Sequence, residues 1–169
     1  MIFTTKAEYG VRLLVELGRQ GEIEDPGHTV ATPVSLKAIA DAELLPLAYL
    51  ERIVARLKKA GFVESTRGAH GGYRLARDPA EIRMDEVIVA LEGQITPMTC
   101  FVADDEAGSE HRVVCHHGET DGQGCATKLL WTRVQGGVQS ALAGTTLAEL
   151  VAFSQRHAAE KPSSGAAAA

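Results

Sequence analysis

Residues 34–77 run two short amphipathic segments, a tight break and a glycine-bounded hairpin in unbroken succession, and few folds accommodate that order. Ser35 is a good N-cap for a helix from residue 36 to about residue 42. After a break at residues 43–45, Pro46 suits the first turn of the next helix, where its missing N–H is harmless. Leu50, Ile53, Val54 and Leu57 then share one helical face, Glu51, Arg52, Arg56 and Lys59 lie largely off it, and Gly61 supplies the C-cap. Residues 62–65 and 73–75 are two short strands, joined by Thr66-Arg67-Gly68-Ala69-His70-Gly71-Gly72. The pattern predicts a winged helix-turn-helix.

The flanking segments are helical in pattern. Thr5-Lys6-Ala7-Glu8 fits a capping box ahead of Val11, Leu14, Val15 and Leu17, a helix expected to reach about residue 20. Residues 21–32, with Pro26, Gly27 and three acids, have loop composition. Residues 84–91 form another helix closed by Gly93, whereas residues 94–124 lack sustained periodicity, which is unusual unless a ligand or metal orders them. Leu130, Val134, Val138 and Ala141 line one side of a long helix from residue 126 to about residue 142. Gly136 and Gly137 lie inside it, each costing about 1 kcal/mol relative to alanine, and mark where a second protomer's backbone would cross. A second capping box, Thr146-Leu147-Ala148-Glu149, opens a last short helix to about residue 153.

The fold expected is mainly α with a small β wing: a winged helix-turn-helix domain plus a long C-terminal dimerisation helix. It divides into a DNA-binding domain (1–93), a cysteine-containing metal or cluster loop (94–125), the dimerisation helix with the short last helix (126–155) and a disordered tail (156–169). No apolar run approaches the roughly 18 residues of a membrane span, which predicts a cytoplasmic protein. The chain carries no phosphate-cradling glycine loop, nucleophile-base pairing or metalloprotease helix motif, so an enzyme is not expected.

A net charge of -5 is at first sight wrong for a nucleic-acid binder, because affinity for phosphates comes largely from lysine and arginine. Its distribution reverses that impression. Residues 49–77 hold Arg52, Arg56, Lys58, Lys59, Arg67, Arg74 and Arg77 against Glu51 and Glu64, a local charge of +5, while residues 100–121 are net -5. The second helix of the motif would enter the major groove, with Ala48, Tyr49, Glu51 and Arg52 near base edges and Arg56 and Lys58 or Lys59 on phosphates. Arg67, in the glycine-rich wing tip, suits a narrow minor groove. The reading surface expected comprises Ser35, Ala48, Tyr49, Glu51, Arg52, Arg56, Lys58, Arg67, Gly68 and His70.

The chain's three cysteines, Cys100, Cys115 and Cys125, lie in or beside the aperiodic acidic segment. In a cytoplasmic protein such clustering reads as metal ligands or redox thiols before structural disulfides, and thiolates suit iron clusters or zinc.

Several stretches resemble the IscR/NsrR/RirA family of bacterial regulators (the Rrf family). They are Phe3-Thr4-Thr5-Lys6-Ala7-Glu8-Tyr9-Gly10-Val11-Arg12, Tyr49-Leu50-Glu51-Arg52-Ile53, Leu57-Lys58-Lys59-Ala60-Gly61-Phe62-Val63 and, above all, Arg67-Gly68-Ala69-His70-Gly71-Gly72-Tyr73-Arg74-Leu75-Ala76. The likeness extends through Ala90-Leu91-Glu92-Gly93 and Cys125 before Trp131 to Thr145-Thr146-Leu147-Ala148-Glu149-Leu150. It implies a homodimer whose long C-terminal helices cross, a palindromic double-stranded DNA operator, and a repressor-type regulator sensing iron-sulfur status, redox state or nitric oxide. The implied cofactor is an iron-sulfur cluster on the three cysteines, 2Fe-2S in preference to 4Fe-4S, with zinc or a thiol-disulfide switch as alternatives.

This chain departs from its relatives in two respects. Fourteen residues separate Cys100 from Cys115 and nine separate Cys115 from Cys125, where relatives often space them closely, and Lys128 stands where IscR-like members carry a histidine ligand. Some relatives recruit an acid from the partner's first helix, at the position of Glu8. Glu8 therefore has two readings, fourth ligand or capping residue, and His116, His117 and His111 are rivals for the ligand role. Arg12, one turn on, reads as surface charge. A cluster- or zinc-bearing protein-docking module is the other class of function, against which the basic 49–77 segment argues.

Overall fold

A computed structural model describes residues 3–21, 32–68, 71–96 and 126–160. Among these residues six α-helices, one 3-10 turn and a two-stranded hairpin follow one another: α1 (Thr5–Gly21), α2 (Leu36–Glu43), α3 (Leu47–Lys59), β1 (Val63–Thr66), β2 (Gly72–Leu75), the 3-10 turn (Pro79–Glu81), α4 (Met84–Glu92), α5 (Ala126–Ala143) and α6 (Leu147–Glu160).

The helix-turn-helix forms as its caps dictate. The Ser35 hydroxyl accepts from the Ala38 N–H at 3.1 Å, and α2 stops at Leu44, whose backbone is left-handed (φ 54°, ψ 44°). A leucine there costs about 1 kcal/mol relative to glycine, because its Cβ crowds the following carbonyl. Pro46 is the N-cap of α3 rather than its first residue, and its carbonyl accepts from Tyr49 and Leu50. Gly61 follows the C-cap Ala60 with φ 78°; its N–H reaches the Lys58 carbonyl while the Phe62 N–H reaches that of Leu57, a Schellman closure with both Leu57 and Phe62 buried.

The wing pairs antiparallel, Val63 opposite Leu75 and Thr66 opposite Gly72. Val34, ahead of α2, adds one rung: its N–H and carbonyl each bond Tyr73 at 2.8 Å. Gly72 makes that rung possible, since a Cβ there would sit 2.5 Å from the Val34 oxygen.

One core joins these pieces. Leu13, Leu14 and Leu17 of α1 meet Ile39 of α2, Leu50, Ile53 and Leu57 of α3, Val87 and Leu91 of α4, and Leu147 and Val151 of α6. Each fully buried leucine of this kind contributes about 2 kcal/mol. Helix α6, grouped by sequence with the dimerisation helix, thus shares the core of the winged domain, and Gly18 lets α1 approach Val151. It also runs to Glu160, so residues 156–160, expected in the tail, are helical. The Thr146–Glu149 capping box forms reciprocally at 3.1 and 3.4 Å.

The first helix starts at Thr5 but not through the expected capping box. Thr4 precedes it, its hydroxyl accepting from Lys6 N–H, while Glu92 at the end of α4 accepts from the Ala7 N–H at 3.1 Å, from the Thr4 hydroxyl and from Lys6 Nζ at 3.3 Å. Burial by itself pushes the Glu92 carboxyl up; the bonds from Thr4, Lys6 and Ala7 outweigh it and hold the group below its ordinary value of 4.5. A lowered folded-state pKa stabilises above the unfolded value and is lost as pH falls through the folded one. Glu92→Gln should therefore cost about 1–2 kcal/mol at neutral pH. Thermal melts should show the gap between variant and wild type closing as pH drops below about 4.5; a gap unchanged down to pH about 2 would count against this role.

No residue of α5 is buried, and Leu129 and Leu130 are more than half exposed. Helix α5 leans on α4, and Gln135 Nε2 donates at 2.9 Å to the carbonyl of Ile95, just past the end of α4. Cβ atoms added at Gly136 or Gly137 would meet nothing within 4 Å.

Candidate nucleic-acid interface

The four buried residues of α3 leave Ala48, Glu51, Arg52, Ala55, Arg56 and Lys59 exposed. Proline has no side chain able to cap, so the first N–H groups of α3 keep the positive end of the helix dipole available to an anion. A helix so exposed along one side, and so anchored along the other, can enter the major groove with its N-terminal half leading.

The basic patch is smaller than composition suggests. Lys58 Nζ donates to Ser65 Oγ at 2.5 Å, tying α3 to the wing. Arg74 pairs with its cross-strand neighbour Glu64 at 2.6 Å, and Arg77 lies 4.5 Å over the Phe62 ring while reaching Glu86 at 3.4 Å. Arg52, Arg56, Lys59 and Arg67 are exposed and take part in no ion pair among the described residues. Within residues 49–77 these four are the cations free to meet phosphates or base edges.

Other expected reading residues divide in the same way. Ala48 and Glu51 are exposed on α3, and Gly68, at φ 122°, turns the exposed wing beside Arg67. Ser35 already uses its hydroxyl oxygen to cap α2. Tyr49 is half-buried, its ring edge-on to Tyr9 with centroids 5.7 Å apart and planes at 89°, so it braces α3 against α1 while offering only part of itself to a ligand. His70 lies outside the described residues, as do Cys100, Cys115, Cys125, His111, His116 and His117. Among the described residues no group of three or more histidine, cysteine, aspartate or glutamate side chains is disposed to hold a metal ion.

Arg12 is the residue that sequence reading underrated. Rather than idle surface charge, its guanidinium donates to the Glu43 carboxylate at 2.8 Å and to the Glu43 backbone carbonyl, at the last residue of α2. It also lies 6.0 Å from the centre of the Tyr9 ring and 3.8 Å from Glu8. Glu8 itself is exposed, with about 64% of its side chain open and no capping bond in the described structure. One cation thus links the exposed acid of α1 to the turn of the helix-turn-helix. The i,i+4 spacing of Glu8 and Arg12 is visible in the sequence, whereas the 31-residue step to Glu43 is not.

A helix-turn-helix braced by a third helix and flanked by a two-stranded wing defines a winged-helix protein, with its second motif helix exposed as a DNA-reading element requires. The family model Rrf2, iron-dependent transcriptional regulator, matches residues 3–153, and the chain belongs to this family. CymR of Bacillus subtilis is 34% identical over 154 residues, spanning 90% of this chain and 91% of CymR. The solved structure of that protein, the global cysteine regulator of B. subtilis, superposes with a TM-score of 0.65, covering 90% of this chain and 98% of its own at 32% identity. T. potens IscR superposes equally well, TM-score 0.65 at 30% identity, covering 96% and 93%. The oxidized form of Staphylococcus aureus CymR gives 0.63 at 30% identity, covering 89% and 96%. No helix among the described residues is long and apolar enough to cross a membrane.

Proposed function

We propose that this chain acts as a homodimeric repressor of a palindromic operator, and that an iron-sulfur cluster on Cys100, Cys115 and Cys125, 2Fe-2S in preference to 4Fe-4S, sets its DNA affinity. The observation that carries the regulatory half is the Glu8–Arg12–Glu43 chain, which connects a solvent-facing carboxylate to the turn that aims α3. Three thiols and a carboxylate oxygen form a donor set that iron accepts, and the family's iron dependence supports the choice of metal. A bound cluster supplies iron-ligand bonds that oxidants and nitric oxide can break. Glu8 of one protomer would complete the ligand set of the other, with His116, His117 and His111 as the competing donors.

The chain's own residues convert that state into reading geometry. With Glu8 in place, Arg12 divides its charge between two carboxylates; with Glu8 drawn away, Arg12 is left to Glu43 and the Tyr9 face. Tyr9 carries the change to Tyr49 and hence to the first turn of α3. A difference of a few kcal/mol in DNA affinity between the two forms suffices to change operator occupancy. Thiol oxidation without a cluster is the second reading, favoured by the relative solved in an oxidized form.

Anaerobic purification with metal analysis and a visible absorption spectrum, followed by gel shifts on genomic fragments before and after exposure to air, tests the proposal. A broad visible band with bound iron, lost in air together with a change in retardation, is expected. Stoichiometric zinc and no visible band would overturn the cluster, and a response to diamide without metal would establish the thiol reading.

A further inference from the structure

Leu44 and Gly61 perform the same backbone task. Each follows the end of a helix of the reading motif in a positive-φ conformation, 54° at Leu44 and 78° at Gly61. Glycine does this without strain and leucine does not, and Leu44 is the only non-glycine with positive φ among the described residues. Its side chain recovers nothing by packing, being 89% exposed. Backbone strain and an unburied isobutyl group therefore coincide at one position, the combination expected where a side chain is kept for a ligand.

Its surroundings indicate which ligand. Leu44 stands in the turn, three residues before α3 begins, beside the exposed Leu47 and Ala48 and at the uncapped helix end that leads into the groove. The free cations Arg52 and Arg56 follow on the same helix. We propose that Leu44 is a specificity-determining residue whose side chain meets the C5-methyl group of a thymine in the operator's major groove. The inference rests on the DNA-reading assignment and extends it to a base preference; Leu47 and Ala48, both exposed, follow in the chain.

The probe is the duplex that the wild-type dimer selects from a randomised 30-base-pair pool, with each thymine replaced in turn by deoxyuridine to delete only the methyl group. Wild type should lose affinity about fourfold per half-site at one thymine, as one buried methyl group implies. Leu44→Gly should bind the parent duplex more weakly by a similar factor, be indifferent to that deoxyuridine, and melt no lower than wild type because the strain is relieved. Leu44→Asn, which also tolerates the left-handed conformation, should behave likewise. Equal deoxyuridine sensitivity in wild type and both variants, or variants that bind the parent duplex as wild type does, would overturn the role of Leu44 while leaving DNA reading intact. If wild type selects no duplex at all, the DNA-reading assignment fails first and this inference with it.

Discussion

Gly72→Ala should unseat the wing and destabilise the protein by about 2–3 kcal/mol, a large effect for one methyl group. The added Cβ would lie 2.5, 2.6 and 2.9 Å from the oxygen, carbon and nitrogen of Val34, all backbone atoms with no rotamer to change. Relief requires Val34 and Tyr73 to part, giving up two 2.8 Å hydrogen bonds and the burial of Val34. Differential scanning calorimetry should show a lowered midpoint, and gel shifts should show weakened retardation, because Arg67 is aimed by the strand that Gly72 pairs. A variant that melts with wild type would mean that the rung between Val34 and the wing is dispensable.

The second large effect is expected at Gly136 and Gly137. An 18-residue helix with no buried side chain is marginal on its own, yet α5 carries Leu129 and Leu130 into solvent. The glycines face open space within the single chain, so leucine at both positions removes about 2 kcal/mol of helix cost and should leave the protomer folded. In a homodimer that crosses at this point, the same change keeps the two backbones apart. Sedimentation velocity should then report a monomer, and operator affinity should fall about 10²–10⁴-fold as the two half-sites cease to be bound together. An unchanged dimer would move the crossing elsewhere on the protein.

Most of the reading head was legible in the sequence because its signals are local. The spacing of Leu50, Ile53, Val54 and Leu57 fixes the buried face of α3, Ser35 and Gly61 bound the motif, and the glycine-rich link between two short strands makes the wing. What escaped depends on partners far apart in the chain. Glu92 caps α1 across 85 residues, and Arg77 is held by an aromatic ring and by Glu86, so neither could be assigned from spacing. The left-handed turn at Leu44 was hidden for the opposite reason: the residue type argues against the conformation it adopts. Helix α6 ends just before the Lys161-Pro162 step, where proline discourages helix at the preceding residue, while the low-complexity composition that follows argues for a tail. The cysteine assignments rest on chemistry and family resemblance, because their segment lies outside the described residues.

The packing of α6 against α1 also bears on how the protein is made. Leu147 and Val151 fill the same core as Leu13, Leu14 and Leu17, so the first helix cannot complete its burial until the ribosome has released residues some 130 positions further on. Contacts of such separation close late, after their loop entropy has been met. Synthesis therefore delivers the cysteine segment before the reading head is finished. A nascent chain that has not yet emerged as far as Val151 lacks a completed winged domain, and every copy whose first helix is fully buried already carries residues 94–125.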